Sequence, residues 1–277
     1  MNNDTVPNIT FSTSWYEFKA KFDPSVYYKW IENMLANVKK YNLVIYSDDE
    51  SSKCLKRYLN NDRIRLIIKP ISEFYHYRYK EFFVENHTRN SQLNKMVDWR
   101  VNMLWCEKIP MVYETMNRKY FDTEDYGWCD IGYFREPSHL WSQWPCPDMI
   151  STLDPSVIYY ACINNNVKYM INLRDVILNK NSLGLPSVPI PPNQLSLAGG
   201  FFITHRDHIE WWKTTFDHRL ELYIDNEYLV KDDQMIIVDC VFSNPSRFRL
   251  ITERNNNTDS VWFLFQRYLL KHDGNNV

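Results

Sequence analysis

Glycine is scarce in this chain. There are 6 in 277 residues, where average usage near 7% would give roughly 19, so each is expected to mark backbone that tolerates no Cβ. Paired cysteines are missing too. The six cysteines, at 54, 106, 129, 146, 162 and 240, show no C-x-x-C spacing, which argues against a zinc site or disulfide framework and fits a reducing compartment. Neither sign of charge is in excess. Thirty-two Lys and Arg against 34 Asp and Glu leave a formal net charge of -2, without the basic footprint that duplex nucleic acid calls for. No apolar run approaches the ~18–20 residues of a membrane span, and residues 1–8 lack the basic-then-apolar order of a signal peptide. The expectation is a soluble, cytoplasmic protein with no nucleic-acid partner and no transmembrane span, whose sequons at Asn8 and Asn86 go unused.

Hydrophobic and aromatic residues are plentiful, at 44% and 16%, enough for a substantial core. Composition does not break along the chain and nothing repeats, so residues 1–277 are expected to form a single domain, with 1–8 and 272–277 as flexible tails. Short buried runs at 9–14, 43–46 and 64–69 alternate with helical patterns, 24–40 being the clearest. Strand–helix–strand alternation of this kind builds a parallel sheet with crossover helices. Helices are expected at 72–85 and 91–121, the second kinked or restarted at Pro110. Further strands are expected at 126–134, 156–162, 197–204 and 247–252, and further helices at 205–228, from 231, and at 260–271. Residues 141–147 read as an irregular surface loop, and the proline-rich 183–193 as a loop that is either a lid or acceptor-side wall of a cleft or a plain connector.

The stretch Tyr126–Arg135 organises the rest. It reads as a mostly buried strand carrying one carboxylate, Asp130, with Gly127 and Gly132 on either side. An apolar strand gains nothing from an unpaired charge, which costs several kcal/mol, roughly, to desolvate. Strand alternation puts Trp128, Asp130 and Gly132 on one face, leaving room beside the carboxylate for a ligand. Open α/β sheets bind ligands at the carboxyl ends of their strands. A turn-capping Asp with a permissive glycine is the plainer reading. The pair Gly199-Gly200 and the helix start Asp232-Asp233-Gln234 add small residues and carboxylates suited to an anionic substrate held through a divalent cation.

Taken in order, Thr10-Phe11-Ser12-Thr13-Ser14-Trp15, Val44-Ile45-Tyr46-Ser47-Asp48, Asn102-x-x-Trp105-x-x-Lys108, Trp128-x-Asp130-x-Gly132, Gly199-Gly200-Phe201-Phe202 and Asp232-Asp233-Gln234 resemble the HtrL/YibB family of glycosyltransferases. The set spans most of residues 9–252. The resemblance implies a GT-A-like, Rossmann-like α/β fold with a mixed, mainly parallel central sheet flanked by helices. It also implies transfer of a sugar from a nucleotide-sugar donor to a glycan or other hydroxyl acceptor. On that resemblance Asp130 holds the metal, Mn2+ or Mg2+, and the donor diphosphate. Thr10 and Ser12 lie near the base or ribose, with Asp48 alongside, and Lys108 faces the donor. Gly199 and Gly200 let donor and acceptor approach the backbone. Asp232 or Asp233 is the general base, its pKa lowered by the helix dipole.

Many GT-A enzymes carry Asp-x-Asp where this chain has Gly132 in the third position. Metal-independent donor binding, with Arg135, Lys108 or Arg78 as the neutralising cation, therefore stands beside the metal. Asp232 reads equally as a plain N-cap, and Lys108 and Arg78 as solvated helix faces. His205 and His208 could supply a late metal ligand or be simple caps. Trp105 and the Tyr75, Tyr77, Tyr79 set read as packing, and Trp211-Trp212 as placing one ring in the core. A catalytically inactive nucleotide-sugar- or glycan-binding protein on the same fold is the main alternative. A phosphoester or pyrophosphate hydrolase would need clustered His and Asp pairs that are absent.

Overall fold

A computed structural model describes residues 8–253 and 261–270. The strands are β1 (Ile9–Trp15), β2 (Asn42–Ser47), β3 (Ile64–Ile68), β4 (Asp125–Cys129), β5 (Ile158–Ala161), β6 (Phe201–His205) and β7 (Phe248–Ile251). They form one seven-stranded sheet in the order β3-β2-β1-β4-β6-β5-β7. Every neighbouring pair is parallel except the two that involve β6. This is the mixed, mainly parallel α/β sheet expected from the sequence. The chain runs outward from β1 through β2 to β3, then returns to place β4 on the other side of β1. The crevice at the carboxyl ends of β1 and β4 is the switch point where such sheets bind ligands.

The helices are α1 (Pro24–Leu35), α2 (Lys80–Arg89), α3 (Trp99–Cys106), α4 (Lys108–Asn117), α5 (Pro147–Ser151), α6 (Val167–Leu178), α7 (Ile209–Asp225), α8 (Asp233–Ser243) and α9 (Leu264–Tyr268). Successive strand residues feed opposite cores, as a period of two dictates. Val44, Tyr46, Trp128 and Phe202 pack with α4, α7 and α8 on one face. Leu43, Ile45, Cys129, Phe201 and Ile203 pack with α1 and α9 on the other.

Several boundaries differ from expectation for identifiable reasons. Helix α1 starts as read, with Asp23 accepting the Ser25 amide at 2.9 Å ahead of Pro24. It stops at Leu35 rather than 40, where Asn37 caps the Asn33 carbonyl at 2.8 Å. The first part of 72–85 is two 3₁₀ turns, because the Glu107 carboxylate takes the Tyr75 and His76 amides at 2.5 and 3.1 Å and tightens the chain there. The span 91–121 splits in two. Asp98 caps α3 through the Arg100 amide at 2.9 Å, and the helix breaks at Glu107 and restarts at Lys108, just before Pro110. Proline has no N–H for the Cys106 carbonyl and clashes with it.

The stretch 141–147 is not a surface loop throughout. Trp144 is fully buried and donates its indole N–H to the Phe265 carbonyl at 2.9 Å. Residues 167–178, untyped by pattern, form α6, capped by Asn166. The loop 183–193 is pinned, with Leu185 and Ile190 in the core and the Gly184 carbonyl held by Arg219 at 2.6 Å. Trp212 is the buried member of the tryptophan pair. The Asn86 amide is fully buried, so the folded chain cannot present that sequon. Of the expected tails, Asn8 is ordered against Glu124; 1–7 and 272–277 lie outside the described residues, as does part of the expected helix 260–271. Among the described residues, no helix is long and apolar enough to cross a membrane.

Candidate active site

The carboxyl end of β4 and the start of antiparallel β6 meet at the paired residues Cys129 and Phe201. One residue beyond each lie Asp130 and Gly200, joined by the Asp130 amide donating to the Gly200 carbonyl at 2.9 Å. Strand β4 therefore ends at Cys129, not 134, and Asp130 begins a turn in which its carbonyl accepts the Tyr133 amide at 2.8 Å. The side chain is not spent on that turn. Its Oδ1 accepts the Trp128 indole N–H at 2.5 Å and stands 3.2 Å from the Lys108 ammonium.

Lys108 is the centre of the site. The helix break at Glu107 sets it as the first residue of α4, where it is 6% exposed. Its Nζ donates to the Gly199 carbonyl at 2.8 Å and lies 3.2 Å from Asp130 and 3.3 Å from Asp233. Burial alone would lower its pKa, but Asp130 and Asp233 outweigh that and hold it above its ordinary value. Asp233, buried at the start of α8, is pushed up to about 7, first by desolvation and then by Asp232 and Asp130, with Lys108 opposing. The helix dipole was expected to lower this pKa; burial of the carboxyl at a site with one shared cation outweighs it. Asp232 occupies the N-cap position but makes no capping hydrogen bond. Its Oδ2 pairs with Lys231 at 3.1 Å, and among the described residues its buried Oδ1 has no hydrogen-bond partner.

The two glycines that close this cluster are fitted to the carboxylates. A Cβ on Gly199 would lie 2.9 Å from Asp233 Oδ2, and one on Gly200 3.1 Å from Asp130 Oδ2. Lys108, Asp130, Asp233, Gly199 and Gly200, named from separate parts of the sequence, thus form one constellation with Asp232 at its edge. Arg135 sits at the margin, stacked on Trp30 at 4.5 Å, Phe263 at 4.8 Å and Phe22 at 5.3 Å.

Other expected residues lie elsewhere. Thr10 and Ser12 are fully buried in mid-strand, their hydroxyls bonded to Thr123 at 2.9 Å and Thr115 at 2.8 Å, so neither faces a cleft. Gly132 does not open space beside Asp130, because the Trp30 ring fills it, 2.8 Å from where a Cβ would stand. Asp48 is two strands away and caps the turn after β2 through the Ser51 amide at 2.7 Å. Arg78 pairs with Glu221 at 2.8 Å between Tyr75 and Tyr79. His205 pairs with Asp125 in register, at the far end of β4 from Asp130, and His208 bonds the Pro155 carbonyl.

Sequence reasoning missed the supports of the site. Buried His76 bridges Glu107 at 3.0 Å and Asp217 at 3.1 Å, which locks the helix break that presents Lys108. Burial opposes its protonation, yet the two carboxylates raise its pKa. Tyr27 was missed as well; burial foremost, then Asp130, raises its hydroxyl pKa. Lys21 was also missed: its ammonium stands 5.3 Å over the Trp105 ring, and desolvation lowers its pKa against the pull of Asp232. A groove of about 470 Å³ between α1 and residues 137–139 shares no residue with this cluster.

Among the described residues no three His, Cys, Asp or Glu side chains converge to hold a metal ion. Asp130, with its side chain 41% exposed, offers one protein ligand and fits only a cation that arrives with substrate oxygens and water. No family model and no curated protein matches the chain. Among solved structures it is similar to the galactosyltransferase LgtC in complex with donor and acceptor sugar analogs. That similarity has 11% identity and a TM-score of 0.43, over 83% of this chain and 69% of that one.

Proposed function

We propose that the protein is a glycosyltransferase of the HtrL/YibB kind, moving a sugar from a nucleoside-diphosphate donor to a hydroxyl of a glycan or other acceptor. The observation that carries this reading is the buried ammonium of Lys108 between Asp130 and Asp233 at the switch point of the sheet, with glycine backbone against both carboxylates. Lys108 and Asp130 take the diphosphate end of the donor. Asp233, or Asp232 beside it, takes the proton of the acceptor hydroxyl as its oxygen bonds to the anomeric carbon. The bond from that carbon to the diphosphate breaks, and the nucleoside diphosphate leaves with the bonding pair. A Mn2+ or Mg2+ ion held by Asp130 would neutralise charge on the departing diphosphate.

Asp233 suits the base role because its pKa, raised to about 7, matches the working range of a general base. A base must be ionised to act, so turnover is expected to rise with pH through a midpoint near 7. Asp233→Asn should cost roughly 10²–10⁴-fold in turnover. The measurement is nucleotide release from a panel of nucleotide sugars, with and without Mn2+, on wild type, Asp232→Asn and Asp233→Asn. Full turnover in both variants would remove the base assignment. Donor binding without nucleotide release in the presence of any acceptor would favour an inactive binding protein on the same fold.

A further inference from the structure

The segment leading into Asp232-Asp233 has no regular structure of its own, yet five hydrogen bonds hold it, four to its carbonyls and one from an amide. Asn86 of α2 donates to the Val230 carbonyl at 2.7 Å and accepts the Val230 amide at 2.9 Å. Asn102 of α3 donates to the same carbonyl at 2.8 Å and to that of Lys231 at 3.0 Å. Asn90, which ends α2, donates to the Lys231 carbonyl at 3.0 Å. All three side chains are buried, at 0%, 1% and 1% exposure for Asn86, Asn90 and Asn102.

Three buried amides are a poor way to fill a core. Among the described residues, the Oδ1 atoms of Asn90 and Asn102 have no hydrogen-bond partner, and a buried acceptor left unsatisfied costs stability. Apolar side chains would avoid that cost. What the amides supply is a fixed position for three consecutive peptide groups, those joining residues 229 to 232. The next residue, Asp232, is extended at φ -156 and ψ 175 and makes no cap of its own; beside its pair with Lys231, the position of the preceding backbone sets where the carboxylates point. Lys108 follows Asn102 across the α3–α4 break, and one short stretch of chain thereby fixes both the ammonium and the acids it faces.

We propose that Asn86, Asn90 and Asn102 form a clamp whose role is to position the Asp232–Asp233 carboxylates against Lys108. These are positioning residues, touching backbone and not substrate. The inference rests on the glycosyl-transfer reading of the site for its consequence, but not for its geometry.

The test pairs hydrogen exchange with kinetics on the full chain, using Asn102→Ala and the milder Asn90→Ala. Exchange of the backbone amides of 228–236 is expected to accelerate in both variants, while α7 and the sheet keep their wild-type protection. With a donor found to turn over, kcat should fall about tenfold or more while KM for the donor moves less than about threefold, because misplacing a reacting group costs rate rather than ground-state binding. Unchanged exchange in 228–236 would overturn the clamp. Faster exchange with kcat intact, or with kcat and donor affinity lost in step, would overturn the positioning role. A wild type that turns over no donor would instead sink the glycosyl-transfer reading, leaving the clamp to stand or fall on exchange. Should Asn102→Ala not fold, Asn90→Ala decides by the same two readouts.

Discussion

Lys108→Met is expected to lower the melting temperature by roughly 6–20 °C and to abolish nucleoside-diphosphate binding. Breaking a buried ion pair from one side costs about 3–5 kcal/mol, and a domain of this size shifts by about 2–4 °C per kcal/mol. Most of the loss comes from Asp233, whose side chain is 4% exposed; Asp130, at 41%, can turn to water. Methionine keeps the length and apolar stem of lysine, so the change removes charge and hydrogen bonds more than volume. The same substitution in an Asp233→Asn background should be milder, since the stranded carboxylate is then gone, and the double-mutant cycle reads that coupling directly. A melting temperature within about 2 °C of wild type would mean that the ammonium is not the counter-charge of this site.

Gly127→Ala should be the most damaging of the glycine substitutions. A Cβ there would lie 2.1 Å from the Phe202 carbonyl oxygen and 3.1 Å from the Ile203 Cα. Both are backbone atoms of β6, which no rotamer change can move. The β4–β6 pair must separate, at a cost on the order of 3 kcal/mol or more, and with it the join between the Asp130 amide and the Gly200 carbonyl. Thermal unfolding is expected to drop by roughly 6–12 °C. Gly184→Ala is the internal control for space, because nothing lies within 4 Å there; its φ of +78 makes any effect one of backbone strain.

The sheet was legible in the sequence because its strands are written in local signals. Buried β-branched and aromatic runs specify strands, and a lone acid among them needs a partner. Scarce glycine proved a sound guide: Gly127, Gly132, Gly199 and Gly200 each stand where a Cβ would meet other atoms at 3.1 Å or less. The guide could not say which atoms. At Gly199 and Gly200 the neighbours are site carboxylates, whereas at Gly132 the neighbour is Trp30 from a helix a hundred residues earlier. Thr10 and Ser12 failed for a related reason. A hydroxyl on a strand looks the same in sequence whether it faces a ligand or a buried threonine, and only the packing of α4 against β1 decides. Tertiary hydrogen bonds hid the rest. The 3₁₀ turns before α2 and the asparagine clamp depend on partners 31 to 144 residues distant.

The most direct measurement is a crystal structure with a nucleoside diphosphate and Mn2+ soaked in. The expected result places the phosphate groups against Asp130 and the Lys108 ammonium, over the Gly199-Gly200 backbone, with Asp232 and Asp233 open toward the acceptor side. Phosphates bound elsewhere, with Lys108 still shared between Asp130 and Asp233, would contradict it.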